Sequence, residues 1–333
     1  MLRIATKCIC AKHRKEIFMQ ERFTKEVRDA MSMEGFAKCV QMDLADRFGK
    51  EYEVIVQDFE KNNHVFLKGL TIFSRERNVS PTIYLEPYYE RYFSETMTLE
   101  DVVDDIANTY YERLPEEDFD SDSILNFEQV SSNIIAKLVN AERNEELLKH
   151  VPHIMWNDLA IVFQVLVEKR RMDFATILVR NRLMSMWDVD AEQLMECAKI
   201  NTPKLLPLQV DSMGSFLGEL VDMGMDCDLF AGVDDTIGEI HIVTNEMKIN
   251  GAISCFYPGI LKELADKLES DLVLLPSSVH EFLIIKGSSQ NDVYWNNMIQ
   301  EVNAADCVSE EEILSDHAYY FRRDHAEEFG TWG

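Results

Sequence analysis

Proline and glycine are scarce in this 333-residue chain, at 8 and 13 residues. That excludes collagen-like and glycine-rich fibres. Basic residues are also short: 33 Lys and Arg stand against 60 Asp and Glu, a formal net charge of −27. Such a body is repelled by nucleic-acid phosphates and by anionic lipid, so direct nucleic-acid binding is disfavoured. Long apolar runs are missing. The longest candidates, Leu159 to Val167 and Phe174 to Val179, fall well short of the ~18 residues a membrane span needs, so no membrane association is expected. Cysteine is thin and scattered: Cys8, Cys10, Cys39, Cys197, Cys227, Cys255 and Cys307. An odd, dispersed set is unlike a secreted disulfide scaffold. The N-terminus is basic but no apolar h-region follows, which argues against a secretory signal. Together these absences point to a cytoplasmic protein with reduced thiols.

Familiar catalytic signatures are missing too. Neither a Walker loop nor GxGxxG occurs, and His280-Glu281 runs into Phe282-Leu283-Ile284 where HExxH needs a second histidine. Asp118, Asp120 and Asp122 fit positions 1, 3 and 5 of an EF-hand loop. Ser123 then replaces the required glycine and Gln129 the bidentate glutamate. Cys8, Cys10 and His13 offer three zinc ligands where structural sites use four in paired spacings. His150 and His153, with Asp158 following, flank Pro152, which breaks the helix face the two histidines would need to share. Asp222, Asp226, Asp228, Asp234 and Asp235 read as a solvated acidic loop. No metal and no cofactor is expected.

What is present is ample core material, with 46% hydrophobic residues. Residues 21–48 carry apolar side chains at helical spacing, with Gly35 and Gly49 as punctuation. Strand patterns follow at Tyr52 to Val56 and Val65 to Phe73 around a Lys61-Asn62-Asn63-His64 turn, then at Thr82 to Leu85. Thr98 with Asp101 opens a further helix as a capping box. Residues 127–138 are ambiguous, and 141–150 read as helix. Later strands are expected at 159–167, 175–179, 239–244, 251–257, 272–275, 282–285 and 318–321. Later helices are expected at 190–203, 212–223, 258–268 and 293–302. The expected fold is α+β, a small N-terminal α-β-β-β-α unit followed by a larger mixed α/β unit. The expected boundaries are a basic, flexible extension (1–18), an N-terminal α+β unit (19–115), an acidic linker and helix (116–150) and a C-terminal unit (151–333).

Tyr84, Tyr88, Tyr89, Tyr92 and Phe93 make an aromatic stretch. It is interleaved with Glu86, Glu90 and Glu95, so core packing explains it better than a stacking platform for bases. Ser277, Ser278, His280 and Glu281 interrupt two apolar runs. Serine, imidazole and carboxylate are the groups of acyl transfer, and Ser278 and His280 share one side of a strand. These two are the candidate catalytic pair, expected to line the principal polar pocket. Asn201, Thr202, Thr244, Asn245, Ser277 and Glu281 are ligand-pocket candidates, because each falls at the end of an expected element.

The segments KNNHVFLKGLTI (61–72), VSPTIYLEPYYERY (79–92), NDLAIVFQVLV (157–167), VTNEMKINGAISCFYPGIL (243–261) and LLPSSVHEFLII (274–285) carry a family likeness. Over residues 20–325 the chain resembles an uncharacterised bacterial domain-of-unknown-function family of anaerobic gut Gram-positive bacteria. The resemblance implies membership and no particular activity. Three functions are then in play. The leading one is a non-enzymatic interaction or regulatory protein with a protein partner, compatible with carriage on mobile genetic elements. The others are a hydrolase using Ser278 and His280, and an acidic decoy of a nucleic-acid-binding partner.

Overall fold

The computed structural model describes residues 31–114, 122–169, 174–212, 214, 240–287, 292–305 and 308–325. The fold is α+β, and every strand pairing among the described residues is antiparallel. The chain divides into two compact units, Met1–Lys61 with Phe66–Phe119, and Asn62–Val65 with Asp120–Gly333. The 1–18 extension with Cys8, Cys10 and His13, the residues Asp118 and Asp120, most of the expected 212–223 helix, and the acidic loop to Gly238 lie outside the described residues.

In the first unit, α1 (Met33–Phe48) begins where the Ser32 hydroxyl accepts the N–H of Gly35. Gly35 therefore sits inside the first turn and does not interrupt the helix. Phe36, Val40 and Leu44, four residues apart, form its fully buried stripe. β1 (Tyr52–Glu60) and β2 (Phe66–Ser74) pair with Val54 opposite Ile72 and Val56 opposite Leu70, and β3 (Thr82–Tyr84) joins the far side of β2. Two helices follow, α2 (Glu86–Phe93) and α3 (Leu99–Arg113). α2 was not expected from the sequence. It takes up the aromatic stretch, and Tyr88 and Tyr92 are buried, with Tyr92 5.3 Å from the Phe36 ring. The capping box is present: Thr98 Oγ1 accepts the Asp101 N–H, and the Asp101 carboxylate accepts the Thr98 N–H.

The second unit holds two sheets. In one, β6 (Leu159–Lys169) is central: β4 (Ile134–Asn140) runs along one side, while β5 (His153–Trp156) and β7 (Phe174–Leu178) take successive stretches of the other. The second sheet has the order β12-β10-β11-β9-β8. Its strands are β8 (Leu208–Ser212), β9 (His241–Asn245), β10 (Leu272–Ser278), β11 (Glu281–Lys286) and β12 (Tyr319–Phe321). α4 (Asn181–Trp187), α5 (Ala191–Leu205), α6 (Ile260–Leu268) and α7 (Asp292–Ala304) are the longer helices among its described residues. One apolar cluster draws on both sheets, with Ile134, Phe163, Val243, Phe256, Leu274 and Phe282 among its members.

Several expectations are corrected here. Gly251–Phe256 is a 3-10 helix with all six residues buried, not a strand. A Cβ at Gly251 would collide with the Thr244 hydroxyl, the His280 carbonyl and the Asn245 N–H, so only glycine lets this segment come so close. Pro203 does not end its helix; α5 continues to Leu205. Pro276 lies within β10, at a point past the reach of β12, which pairs only with Leu272 to Leu274. A missing N–H is tolerated on such an unpaired flank.

Residues 62–65 belong to this second unit. Asn63 is buried in the left-handed conformation, φ 59°. Its side-chain amide donates to the carbonyls of Glu310 (2.8 Å) and Ile313 (2.7 Å), and its N–H to Asn144 Oδ1 (2.9 Å).

Candidate functional site

The hairpin turn Ser278-Val279-His280-Glu281 between β10 and β11 gathers most of the residues singled out from sequence. Their polar atoms are directed into the scaffold. Ser278 Oγ accepts the N–H of His280 at 3.0 Å, and Ser277 Oγ donates to Glu281 Oε1 at 3.3 Å. His280 Nδ1 accepts the N–H of Asn250 at 3.0 Å. The proton of the neutral ring therefore sits on Nε2, which faces Glu312 Oε1 at 3.2 Å. Thr244 Oγ1 donates to the His280 carbonyl at 2.7 Å. Asn245 shapes the adjoining loop, accepting from Met247 N and donating to the Ile249 carbonyl. Ser278 and His280 are thus neighbours, but the hydroxyl meets the histidine's main chain and not its imidazole.

Asn201 and Thr202 serve a different place, the outer edge of β4. Asn201 Nδ2 donates to the carbonyls of Ser131 (2.7 Å) and Ile134 (3.1 Å). Thr202 Oγ1 accepts the N–H of Ala136 (3.0 Å) and donates to the Ala198 carbonyl (2.7 Å). Two consecutive side chains of α5 do there what a neighbouring strand would do. His153 opens β5 and its Nδ1 lies 3.0 Å from the Val151 carbonyl. Among the described residues no group of three or more His, Cys, Asp or Glu is placed to hold a metal ion. No helix among them is long and apolar enough to cross a membrane.

A cleft of about 510 Å³ lies elsewhere in the second unit, and neither Ser278 nor His280 lines it. It forms where the β5–β6 turn, α7 and the chain around β12 meet. Trp156 and Leu159 close a two-residue turn, and Asn157 takes its left-handed position, φ 51°, which asparagine tolerates. This turn presents Asp158. One of its carboxylate oxygens accepts the Ser315 hydroxyl at 2.6 Å and the other the Tyr319 hydroxyl at 2.7 Å. Ser315 is fully buried, and its Oγ also accepts the N–H of His317.

α7 fastens the same segment with a polar stripe. Asn296 Oδ1 accepts the N–H of Ala318 (2.8 Å), and Asn303 donates to the Ser315 carbonyl and to Asp316. Asp292 Oδ1 accepts the Tyr320 hydroxyl (2.8 Å). Burial, and then the adjacent Asp158 charge, push the Tyr319 phenol far above its usual range; burial and Asp292 do the same for Tyr320. Trp156 packs with both Phe256 and Tyr319, ring centroids 4.8 Å apart in each case. His317, Arg322 and His325 supply exposed basic groups to the lining. Sequence reasoning passed over all of these except Asp158, which it noted only as a follower of the 150–153 histidines. The usable signal was the Asn157-Asp158 pair between two apolar strands.

A family of unknown function, DUF5688, matches residues 33–323. The chain belongs to this family. No curated protein and no solved structure matches the chain. The family carries no assigned activity, so DUF5688 membership fixes kinship and leaves chemistry to the geometry.

Proposed function

We propose that this DUF5688 protein is a non-enzymatic interaction or regulatory protein, and that the cleft beside Asp158 is where it takes a ligand. The carrying observation is the construction of that cleft. Its aromatic and polar lining is held in place by Ser315, Tyr319 and the α7 asparagines, so the recognition groups are fixed before anything binds. Its volume falls in the range of small-molecule sites, roughly 300–1,000 Å³. The hydrolase alternative draws less support. The Ser278 hydroxyl accepts from main chain, and the two ring nitrogens of His280 are taken up by Asn250 and Glu312. A general base has to reach its nucleophile.

On this reading the protein works in the bacterial cytoplasm and passes the ligand's occupancy to a protein partner. Cys39, Cys197 and Cys255 are free thiols, and burial pushes the Cys255 thiol well above its usual range, which keeps it unreactive. The test pairs binding with turnover. Thermal shift against a library of small polar molecules should find ligands that raise the melting temperature of the native chain but not of His317→Trp, whose indole fills the cleft from an exposed position. An esterase or amidase activity lost in Ser278→Ala, with the melting temperature unchanged, would establish the hydrolase instead.

A further inference from the structure

We infer that Asn250 is a latent modification site, a self-deamidating side chain that the His280 turn holds in an unreactive backbone conformation. Asn250-Gly251 is the only Asn-Gly pair in the chain. In such a pair the glycine nitrogen attacks the asparagine Cγ, because glycine has no side chain to obstruct ring closure. The new N–Cγ bond completes a five-membered succinimide. Ammonia leaves from Cγ and carries away the proton that the glycine amide has lost. Water then adds to one imide carbonyl and breaks its bond to nitrogen. The product is aspartate, or isoaspartate linked through the side chain, and water is the only other reactant.

The fold demands each residue of the pair for its own reason. Position 250 is left-handed, φ 52° and ψ 29°, which asparagine tolerates. Position 251 has no room for a Cβ beside Thr244 and the His280 carbonyl. The same geometry keeps the pair from reacting. Ring closure needs the Gly251 nitrogen to eclipse the Asn250 Cβ about the Cα–C bond. At ψ 29° that nitrogen lies on nearly the opposite side, so the bond would have to swing through most of a half-turn. Bonds on both flanks resist the swing. Upstream, the Asn250 N–H donates to His280 Nδ1 at 3.0 Å and the Ile249 carbonyl accepts from Asn245. Downstream, the Ala252 N–H donates to the Val279 carbonyl at 3.2 Å. The turn is itself anchored: the Val279 N–H donates to the Glu312 carbonyl, and Thr244 Oγ1 to the His280 carbonyl. His280 is thus a positioning residue that acts through the main chain of Asn250. A chain that opens here and deamidates does not return unchanged. Aspartate adds a negative charge to a body already at −27, and isoaspartate adds a main-chain methylene beside a residue with no space to shift.

The test measures aspartate and isoaspartate at position 250 of the full chain by peptide mapping, with electron-transfer fragmentation, during incubation at mildly alkaline pH. Conversion should be fast in urea and slow in the native chain. His280→Leu removes the acceptor of the Asn250 N–H and should speed native conversion about fivefold, the size of one lost hydrogen bond. His280→Asn should stay near the native rate, because its Oδ1 can stand where Nδ1 stood. Thr202→Val weakens the unit away from this turn and should leave the rate unchanged. No conversion in urea, or native conversion as fast as in urea, overturns the inference. So does an unchanged rate in His280→Leu, or an equal acceleration in Thr202→Val, which would assign the protection to global stability. The native-against-urea comparison needs no substitution, so the inference stays open to refutation if His280→Leu misfolds by circular dichroism.

Discussion

Thr202 makes two hydrogen bonds from a side chain that is entirely buried, accepting from Ala136 and donating to Ala198. Thr202→Val keeps the volume and strands the N–H of Ala136, a residue only 1% exposed. The expected cost is ~1–3 kcal/mol. It should appear as a lower urea midpoint with an unchanged slope, and an unchanged midpoint would refute the edge-capping role. The buried tyrosines give a second test. Tyr257 is pushed up to about 12 by burial, and Tyr319 and Tyr320 are raised further. Their folded values exceed the ordinary 10.0, so the associated stability is complete below pH 10. It is lost as pH rises beyond that, because the unfolded phenols ionise first. Burial raises Tyr110 as well, so absorbance at 295 nm should show at least these four of the 11 tyrosines ionising late, together with unfolding. Ionisation of all eleven near pH 10 in a folded sample would contradict their burial.

Elements with a strong period were legible in the sequence. The 98–113 helix announced both its cap and its stripe, and the β1–β2 hairpin announced its turn. Thr98→Ala should accordingly cost about 0.5–2 kcal/mol, read as a lower melting temperature. Elements buried on every side were harder. β4 reads IIAKLVN and buries all but Lys137, so it has no alternation to detect. The 251–256 segment looked like a strand because its residues are apolar, yet its shape is dictated by the main chain packed against Gly251. Gly251→Ala should cost more than ~2 kcal/mol, since a backbone carbonyl and a backbone N–H stand in the way. Gly69→Ala should cost less, because its new methyl meets the side chains of Phe59 and Thr82, which can turn aside. Equal losses in denaturation midpoint for the two variants would count against this distinction. The cleft was the least legible feature. Its residues come from 156–158, 292–296 and 317–325, and each stretch alone looks ordinary.

For the whole molecule, the dominant quantity is the charge of −27. Like charges at this density oppose the compact state, and salt screens them over ~10 Å at 0.1 M. Raising NaCl from about 10 mM to about 300 mM should raise the melting temperature. A flat or falling response would show that ion pairs such as Lys68 with Glu34 and Asp58 outweigh the repulsion. The bonds of Asn63 carry a consequence of another kind. Its partner Ile313 lies 250 positions later in the chain. At translation rates of ~5–20 residues per second, Asn63 leaves the ribosome roughly 10–50 s before the carbonyl it binds has been made. The second unit can therefore close only after residue 313 has been synthesised, and a nascent chain stalled before it would hold Asn63 with those contacts still unmade.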